Sequence, residues 1–482
     1  MRAQAAILEP SLIEAIVDDA LRVLETTGTA VEDEQAFARL TAAGLGPGEG
    51  AQLRFPRVIV RAAIESAPSS IPLFDRDGSP HTVLEGDAVH FVPASSALKI
   101  RDDRTDEMRV PTSDHFVRYV RVADGLEHLG YLSTAFVPKD VPEDIADAWR
   151  LYLCLANSKQ PVVSGAFTAD GVPRIARILE AFRRDPAELA AKPLAILTVC
   201  PNTPLRWGED PVHNLMDSAE RGIPVEIVPV LLLGMISPAT TVGALVLHAA
   251  EVLSGLTIAQ LVKPGAPILF GGAPAAFHMR LMTNPMTAVE ALQIYCGYAQ
   301  IAKHLGIPSQ AYMALSDSKF HDAQSGAESG IGAFLAAMAG INSVSGPGML
   351  DYVNCFSLEK LVFDDEIAAH AQRFVRPVEV REDLPSGELI EELLRDKHLL
   401  TSEHTLEHWQ EELYLPGPMV DRTNWDQWEQ HGSADGRERA ATIIEEKLDD
   451  WEVPPIDPAL ASDLRSFFQA STAHDDWTPP EL

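Results

Sequence analysis

The stretch VEIVPVLLLGMISPATTVGALVLHAAEVLSGLTIAQLVKPGAPILFGG, residues 225–272, decides the fold class. An apolar run at 225–233 has the length of a buried strand, and a longer apolar segment at 240–261 has the length of a helix. A second strand-like run follows at 266–272. A strand, a helix and a strand in this order form a unit whose two strands are parallel. The stretch therefore predicts a parallel sheet covered by helices.

The same alternation continues on both sides of this unit. Strands are predicted at 129–136, 161–167, 193–200, 225–233, 266–272, 309–315 and 341–346. Helices are predicted at 143–156, 172–183, 210–221, 240–261, 286–304 and 322–339. Seven repeats, with an eighth expected near 361–376, favour a (β/α)8 barrel over a doubly wound open sheet. We assign residues 121–384 to this barrel.

The segments on either side of the barrel have a different pattern. Residues 1–120 are predicted to form an N-terminal region with helices at 9–27 and 56–66 and a few antiparallel strands between 71 and 110. Residues 385–482 are rich in Glu, Asp, His and Trp, and are predicted to form a helical extension and a tail.

Composition excludes several classes of function. The formal net charge of −32 opposes binding to nucleic acids, whose phosphates require clustered Lys and Arg, and to anionic membrane surfaces. The pattern of the N-terminal segment predicts an amphipathic helix with acidic residues and not a signal peptide. No uninterrupted apolar stretch of about 20 residues is present, and the longest candidate, 225–236, is too short to span a membrane. We therefore expect a cytoplasmic protein.

The four cysteines, Cys154, Cys200, Cys296 and Cys355, are far apart and form no CxxC or CxH pattern. A disulfide framework and a structural zinc site are therefore not expected. We also expect no other metal bound by the protein itself. Hydrolase signatures such as GxSxG and HExxH are absent from the sequence.

Ligands of (β/α)8 barrels bind at the C-terminal ends of the strands, so residues just after each strand are candidates for the site. Glycine pairs follow two strands and would let a ligand approach the backbone, although each pair also fits an ordinary turn. The GPG sequence at 346–348 does not match a nucleotide-binding pattern. Residues of interest at the strand ends are Phe136, Phe167, Gly271, Gly272, His278, Arg280, Gly346 and Gly348.

The sequence SDSKFHD at 316–322 follows the predicted strand at 309–315 and carries both signs of charge. Asp317 and Lys319 are two residues apart, so in an extended segment both side chains would point to the barrel mouth. Alternatively, they pair with each other or cap the helix that begins near Asp322. Tyr312, within the strand, would offer an aromatic ring to a cation.

Several blocks resemble the trimethylamine methyltransferase family, in the branch without pyrrolysine, along nearly the whole chain. The blocks that carry the resemblance are GALVLHAAEVLSGLTIAQLVKPGAPILFGG (243–272), FHMRLMTNPMTAVEA (277–291), SDSKFHDAQSGAES (316–329), GPGMLDYVNCFSLEKLVFDDEI (346–367) and HTLEHWQEELYLPGPMVDRTNWDQWEQHG (404–432). His278 stands where many relatives have an acidic residue, which implies a different substrate.

The resemblance implies a (β/α)8 barrel that moves a methyl group from an amine to the Co(I) of a corrinoid (cobalamin), presented by a partner protein or free. Archaeal trimethylamine enzymes of the family use pyrrolysine, whereas this chain has only standard residues. A quaternary amine such as glycine betaine is already cationic and departs as a neutral amine, so it needs no pyrrolysine. The resemblance therefore implies a glycine betaine-like substrate and a corrinoid protein as partner. We also expect a homo-oligomer.

The resemblance also implies roles for the candidate residues. A zwitterionic substrate needs an acid near its ammonium and a Lys or His near its carboxylate. The implied catalytic residues are Asp317 and Lys319. The implied substrate-binding residues are Phe136, Phe167, His278, Arg280, Tyr312, His321 and Glu328, and the implied cofactor-binding residues are Gly271, Gly272, Gly346 and Gly348.

Two other functions are open at this point. The barrel would bind a quaternary amine or a corrinoid without catalysis, or it would be a lyase or hydrolase that acts on a small polar substrate without corrinoid. Demethylation that depends on Co(I) distinguishes the methyltransferase from both.

Overall fold

The computed structural model describes residues 2–94, 96–381, 384–474 and 477–480. Its helices are α1 (Pro10–Thr26), α2 (Glu34–Ala42), α3 (Arg57–Ser66), α4 (Ser113–Asp124), α5 (Ala146–Asn157), α6 (Gly171–Glu180), α7 (Pro186–Ala191), α8 (Glu209–Arg221), α9 (Thr241–Val262), α10 (Val289–His304), α11 (Ala323–Ala339), α12 (Leu358–Phe374), α13 (Gly387–Asp396), α14 (Glu403–Glu412), α15 (Trp425–Gln430), α16 (Gly436–Asp450) and α17 (Pro458–Ser471).

Most strands are short. They are β1 (Thr29–Val31), β2 (Gly46–Pro47), β3 (Gln52–Arg54), β4 (Ser70–Phe74), β5 (Pro80–Glu85), β6 (His90–Val92), β7 (Lys99–Asp102), β8 (Glu107–Arg109), β9 (Leu132–Ser133), β10 (Val162–Ser164), β11 (Ala195–Val199), β12 (Arg206–Trp207), β13 (Val225–Ile227), β14 (Leu232–Leu233), β15 (Ile268–Phe270), β16 (Ala275–Ala276), β17 (Gln310–Ala311), β18 (Ser343–Ser345), β19 (Met349–Leu350) and β20 (Cys355–Ser357).

Eight parallel strands close into a barrel, which confirms the predicted (β/α)8 fold. Two parallel sheets, β9-β10-β11-β13-β15 and β17-β18-β6, supply the eight strands. Parallel bridges between Phe91 and Leu129 and between Phe270 and Ser309 join the two sheets and complete the ring. In chain order, the barrel strands are β6, β9, β10, β11, β13, β15, β17 and β18.

The position of one barrel strand differs from the sequence prediction. The prediction of an eighth repeat near 361–376 is wrong, because residues 361–374 lie within α12, a helix after the last barrel strand. The missing strand is β6, which pairs in parallel with β18 and lies within the segment 1–120 that was expected to precede the barrel. The predicted antiparallel pairs are present as β4–β5 and β7–β8.

The hairpin β4–β5 closes one end of the barrel. Its apolar side chains join inward-facing side chains of five barrel strands in a separate buried cluster formed by Ile71, Leu73, Leu84, Val92, Tyr131, Val163, Ile196 and Leu269. Tyr131 donates a hydrogen bond of 2.8 Å to the Ser343 hydroxyl within this layer. This end is therefore filled, and ligands can enter only from the C-terminal ends of the strands.

The helices enclose the barrel and are packed closely where the chain is rich in small residues. Gly332 of α11 lies so near the strand-end backbone that an added Cβ would be 2.7 Å from the Ala314 nitrogen. Asp322 caps this helix by accepting a hydrogen bond of 3.0 Å from the Ser325 amide. Close packing of α11 thus fixes the segment between β17 and the helix.

By length and composition alone, helix α9 could cross a membrane. The sequence pattern did not predict this, because polar residues interrupt the apolar stretch. In its most apolar window, 78% of the residues are buried inside the protein, where α1, α3, α8 and α10 pack around it. This degree of burial is typical of a core helix.

Candidate active site

A pocket of about 500 Å³ lies at the C-terminal ends of the barrel strands. Five consecutive barrel strands, β11 to β18, and the loops that follow them contribute to it. Its lining is mainly apolar and includes two tyrosine rings; the residues are Cys200, Val228, Val230, Leu232, Ala273, Ala275, Thr283, Asn284, Met286, Tyr312, Tyr352, Val353 and Asn354. Its size and composition are those of a site for a small ligand.

Side-chain alternation along the strands decides which residues lie beneath this pocket. Cys200 and Val228 line the pocket, so residues two positions earlier, Thr198 and Glu226, face the same interior one layer deeper. Gln310 stands in the same relation to Tyr312. The interior below the pocket is therefore polar, in contrast to the apolar cluster at the closed end.

Glu226 is the most informative residue of this polar layer. Its carboxyl group is fully buried and accepts one hydrogen bond, 2.6 Å from the Thr198 hydroxyl to Oε1. Its Oε2 has no partner among the described residues. Burial raises the pKa of Glu226 to about 7, although the Thr198 hydrogen bond opposes the shift. A carboxyl with this pKa changes charge near neutral pH.

Cys200 reaches the pocket from the end of β11. Its side chain is accessible from the pocket, but the barrel encloses it. This enclosure, together with the nearby Glu226 carboxyl, raises the pKa of its thiol to about 12. The thiol is therefore protonated at neutral pH and is a poor nucleophile.

Gly271 and Gly272 are explained by packing. A Cβ on Gly271 would lie 2.7 Å from Oε1 of Gln310, and a Cβ on Gly272 would lie 2.4 Å from Nε2 of His248. The same Gln310 oxygen accepts a hydrogen bond of 3.2 Å from the Gly272 amide. Both glycines thus make room for buried polar side chains of this chain, and neither leaves open space for a cofactor.

Gly346 and Gly348 also face protein atoms. A Cβ on Gly346 would lie 1.7 Å from the Met313 carbonyl oxygen, and Gly348 has a φ of +86° with the Phe356 ring against it. The Gly348 amide donates a hydrogen bond of 2.7 Å to Asp364, which forms a buried ion pair with Lys360. These contacts hold the loop after the last barrel strand.

Asp317 lies directly behind the pocket lining. It is buried and accepts hydrogen bonds from the amides of Met286 (3.1 Å) and Thr287 (3.0 Å) and from the Thr287 hydroxyl (2.5 Å). Burial raises the pKa of Asp317 above its usual value, and these hydrogen bonds oppose that shift. Because Met286 lines the pocket, Asp317 positions a lining residue.

Lys319 points away from Asp317's carboxylate. Its Nζ donates a hydrogen bond of 2.8 Å to the Asp317 carbonyl, lies 3.6 Å from the Asp351 carboxylate and stands 4.1 Å from the centre of the Tyr352 ring. Tyr352 lines the pocket, so Lys319 lies at its rim. The two predicted catalytic residues therefore flank the pocket but diverge from each other.

Tyr352 belongs to a short backbone segment with unusual geometry. Asp351, Tyr352 and Val353 have φ values of +50°, +57° and +64°, in the left-handed region that residues with a Cβ rarely adopt. Residues in this region typically persist where the surrounding structure enforces them, often at binding sites. Tyr312, which the sequence placed at the site, lines the same pocket.

Glu328 and His321 lie outside the pocket lining. Glu328 accepts hydrogen bonds from the Ser316 hydroxyl (2.6 Å) and the Asp317 amide (2.9 Å), so it holds the strand-end segment in place. His321 packs edge-on against the Phe363 ring at 4.8 Å, and burial lowers its pKa. Glu328 therefore contacts the segment that carries Asp317, whereas His321 packs against α12.

His278 and Arg280 lie in an exposed turn beyond β16. His278 pairs with Thr283, a residue of the pocket lining, and its Nδ1 accepts a hydrogen bond of 3.1 Å from the Leu281 amide. Around it, Met279, Leu281 and Met282 are between 62% and 69% exposed. The turn thus presents an apolar surface beside the pocket opening.

Phe136 and Phe167 occupy different environments. Phe136 is buried in an aromatic cluster with Phe116, Tyr119 and Phe356, away from the pocket lining. Phe167 is 40% exposed, and the Arg150 guanidinium carbon lies 4.5 Å from the centre of its ring. The structure therefore brings Phe167, but not Phe136, to the open end of the barrel.

Sequence reasoning missed Glu226 and Arg150. Each has a signal in the sequence: Glu226 is the only charged residue in the apolar run 225–233, and Arg150 interrupts the apolar segment WRLYLCLA at 149–156. A lone charge in a buried element is rare unless it is paired or functional. In the described part of the chain, no group of three or more His, Cys, Asp and Glu residues is placed to hold a metal ion.

Comparison with known proteins connects this barrel to amine methyltransferases. The family model described as "Trimethylamine methyltransferase (MTTB)" matches residues 2–474. The chain is 28% identical over 464 residues to the glycine betaine methyltransferase of Desulfitobacterium hafniense (strain Y51), covering 96% of both chains. It is 27% identical over 456 residues to the trimethylamine methyltransferase MttB of D. hafniense (strain DSM 10664 / DCB-2), covering 94% of this chain and 92% of that relative.

A solved structure supports the fold independently. The monomethylamine methyltransferase (MtmB) of Methanosarcina barkeri superposes with a TM-score of 0.55 at 11% sequence identity, over 94% of this chain and 90% of that chain. The predicted barrel and the predicted methyltransferase class are both confirmed. Since the family match extends over almost the whole sequence, this chain belongs to the trimethylamine methyltransferase family.

Proposed function

We propose that this protein transfers a methyl group from a quaternary amine that resembles glycine betaine to the Co(I) of a corrinoid. The observation that carries the proposal is the pocket at the open end of the barrel, where two tyrosine rings and apolar side chains surround a space above a buried carboxyl group. This combination suits a methylated ammonium, which is both cationic and apolar on its surface.

The tyrosines and Glu226 divide the recognition of such a cation. Aromatic faces attract ammonium groups with about 1–2 kcal/mol when water is excluded. Tyr312 and Tyr352 supply two such rings. Glu226 supplies negative charge from below once it is ionised, and its pKa of about 7 permits this near neutral pH. The apolar side chains of the lining, such as Val228, Val230 and Met286, suit contact with the methyl groups.

A quaternary substrate also fits a pocket lining that has, among its described residues, no Lys, Arg or His to protonate an amine. Its methyl group leaves from a nitrogen that is already positively charged, so the protein need not protonate it. Cys200 is held as a neutral thiol, and the residue types of the lining include no Lys, Arg or His. The task left to the protein is to bind the ammonium, orient one methyl group towards the opening and exclude water.

The residues at the opening fit a corrinoid that is presented from outside. The pocket of about 500 Å³ has the size of a site for a small ligand such as the amine. Met235, Met279, Leu281 and Met282 are exposed beside the opening and would contact the apolar parts of the macrocycle. When bound, the corrinoid supplies a strongly nucleophilic Co(I) that accepts the methyl group. We propose that a separate corrinoid protein delivers it.

The proposal includes the assignments that sequence resemblance first implied. Asp317 positions the lining through Met286 and Thr287, and Lys319 holds the Tyr352 ring at the rim. The homo-oligomer and the cytoplasmic location remain predictions of the sequence, as does the division into an N-terminal region, a barrel and a C-terminal extension.

A screen of methylated amines with purified protein and reduced cobalamin tests the proposal. We expect the spectrum of Co(I) to convert to that of methylcobalamin with glycine betaine and to change little with trimethylamine. Rapid demethylation of trimethylamine by the unmodified chain would contradict the substrate class. Binding without demethylation of any amine would favour a binding protein, and turnover of substrate without cobalamin would favour a lyase or hydrolase.

A further inference from the structure

Arg150 is a fully buried cation with unused hydrogen-bonding capacity. It lies in α5, and its Nη1 donates hydrogen bonds to the Thr134 carbonyl (3.0 Å) and the Ser96 hydroxyl (3.2 Å). Its Nε and Nη2 have no partner among the described residues. Burial lowers the pKa of the guanidinium to about 10, so it is still charged at neutral pH. A buried charge with unpaired donors is unfavourable, and it calls for a function.

The two unpaired nitrogens lie on the same edge of the guanidinium. In arginine, the N–H of Nε and one N–H of Nη2 point in parallel, at the spacing of the two oxygens of a carboxylate. This edge forms the bidentate pair that makes arginine the preferred partner of carboxylates. The protein therefore occupies one side of Arg150 with backbone and hydroxyl oxygens and leaves the carboxylate-binding edge without a partner.

Arg150 lies at the open end of the barrel. Ser96, Thr134 and Phe167, its neighbours, follow the first three barrel strands, β6, β9 and β10. The pocket with Tyr312 and Tyr352 is lined by the other five strands. Arg150 and Tyr312 are close enough to interact electrostatically. The guanidinium and the cation pocket are thus two parts of one barrel mouth.

The Phe167 ring covers one face of the guanidinium. Its ring stacks over Arg150 and is itself 40% exposed. Its backbone amide donates a hydrogen bond of 3.0 Å to Asp147, which lies one helical turn before Arg150 in α5. The backbone of this loop is fixed by the same helix that carries the arginine, whereas the ring is partly exposed to solvent. A rotation of this ring would uncover the guanidinium towards the mouth.

We propose that Arg150 binds the carboxylate of a zwitterionic substrate, with Phe167 as the cover of this subsite. The inference rests on the proposed function, because the ammonium of the same substrate occupies the tyrosine pocket. The inference narrows the substrate class. Quaternary amines that carry a carboxylate bind across the mouth through both charged groups, whereas cations without a carboxylate lack the contact with Arg150. Arg150 is then a residue that determines specificity, and it takes the role that Lys319 and His321 were expected to have.

Calorimetric titration in the absence of corrinoid tests this subsite separately from catalysis. The ligands are glycine betaine and its methyl ester, which keeps the ammonium but has no carboxylate. For the wild-type protein, we expect the Kd for the ester to exceed the Kd for glycine betaine at least tenfold. In Arg150→Lys and Arg150→Gln, the ratio of the two Kd values should fall towards one while binding of the ester changes less than twofold.

Two further variants keep the test decisive if the Arg150 variants fold poorly: a control, Arg177→Gln, and a change to the cover, Phe167→Ala. Arg177→Gln removes a positive charge from the neighbouring helix α6, where Arg177 pairs with Asp463 at the surface, and should leave the ratio unchanged. Phe167→Ala removes only the cover and should change the ratio at least threefold without affecting the ester. A folded Arg150 variant with the wild-type ratio, or an unchanged ratio in Phe167→Ala, would overturn the proposal.

The two proposals fail in different ways. If glycine betaine binds through Arg150 but is never demethylated, the carboxylate subsite stands and the methyltransferase proposal fails. If glycine betaine and its methyl ester are demethylated with equal efficiency, the methyltransferase proposal stands and the carboxylate subsite fails.

Discussion

The two halves of the barrel interior differ in whether their polar side-chain atoms have hydrogen-bond partners. The lower interior, defined as the buried cluster of Ile71, Leu73, Leu84, Val92, Tyr131, Val163, Ile196 and Leu269, is apolar and packed against the β4–β5 hairpin. Its single hydroxyl has a hydrogen-bond partner. The upper interior, defined as Glu226, Gln310 and Ser345, has an unpaired polar atom on each of these side chains among the described residues.

This difference separates stability from function within one barrel. Packing of apolar groups without voids stabilises a fold, whereas buried polar atoms without partners destabilise it. Between these two sets of interior residues, the destabilising arrangement is found on the side that opens to the pocket. We therefore expect substitutions in the lower interior to affect folding alone and substitutions in the upper interior to affect ligand binding.

The largest effect should come from the lower interior. Leu269→Ala creates a cavity at a fully buried site and should reduce the free energy of unfolding by about 3 kcal/mol. The matched control Leu394→Ala, at a leucine that is 63% exposed in α13, should change it by less than about 0.5 kcal/mol. Urea denaturation measures both. A weaker affinity of folded Leu269→Ala protein for glycine betaine would contradict the separation.

Asp317→Asn should have the next largest effect, and it should act on the pocket lining. The amide group of asparagine cannot accept all three hydrogen bonds from Met286 and Thr287, so we expect a loss of about 2 kcal/mol in stability. Asp322→Asn is the control, because asparagine is an equally good helix cap at that position. Unchanged thermal stability together with slower methyl transfer would instead indicate that Asp317 touches the substrate.

Glu226→Gln should weaken binding of a cation about tenfold at pH 8, which corresponds to about 1.4 kcal/mol. The wild-type affinity for tetramethylammonium should rise as the pH increases through about 7, because Glu226 then becomes ionised, and the affinity of the variant should stay constant. The variant keeps the oxygen that accepts the Thr198 hydrogen bond.

The stability of the protein should respond to Glu226 in the opposite direction. The pKa of this carboxyl is higher in the folded protein than in the unfolded chain, so the folded state binds more protons between about pH 4.5 and pH 7. Its contribution to stability is therefore present below pH 4.5 and declines as the pH rises to 7.

Glu251→Gln is a suitable control for the measurement of cation binding, since this carboxyl has a similar pKa but binds Thr203 and Leu205 away from the pocket. Equal cation affinity of Glu226→Gln and wild type at pH 8 would contradict the role of Glu226.

The sequence predicted most of the barrel because seven strands are apolar runs separated by helices of ordinary length. It failed at β6, which has only three residues and is separated from α4 by the β7–β8 hairpin. That hairpin made the whole region look antiparallel. The segment at 361–376 was misinterpreted because α12 continues the apolar pattern directly after β20.

The sequence also located the loops of the site but not the direction of their side chains. Tyr312 lines the pocket as expected. The expectation that Asp317 and Lys319 face the same way assumed an extended backbone, whereas Ala314 has a φ of +61° and redirects the chain just before them. Glu226 and Arg150 were missed because a single sequence does not show which interior a buried charge faces.

Lys319→Ala should have the smallest effect. It tests the rim of the pocket, where the upper interior meets solvent. The side chain of Lys319 is about half exposed, and its contacts with Asp351 and the Tyr352 ring are those of a surface ion pair and an exposed cation–π pair. Each such contact contributes about 0.5 kcal/mol. We expect a change in stability below about 1 kcal/mol and a change in the Kd for glycine betaine below about threefold, since Tyr352 is also held by its own backbone segment. The control Lys303→Ala removes a lysine that binds Asp87 and the Gly86 carbonyl just after β5, at the closed end of the barrel, and it should leave the Kd unchanged. A tenfold weaker binding in Lys319→Ala, with normal thermal stability, would place Lys319 in contact with the substrate and extend the functional part of the barrel to its outer rim.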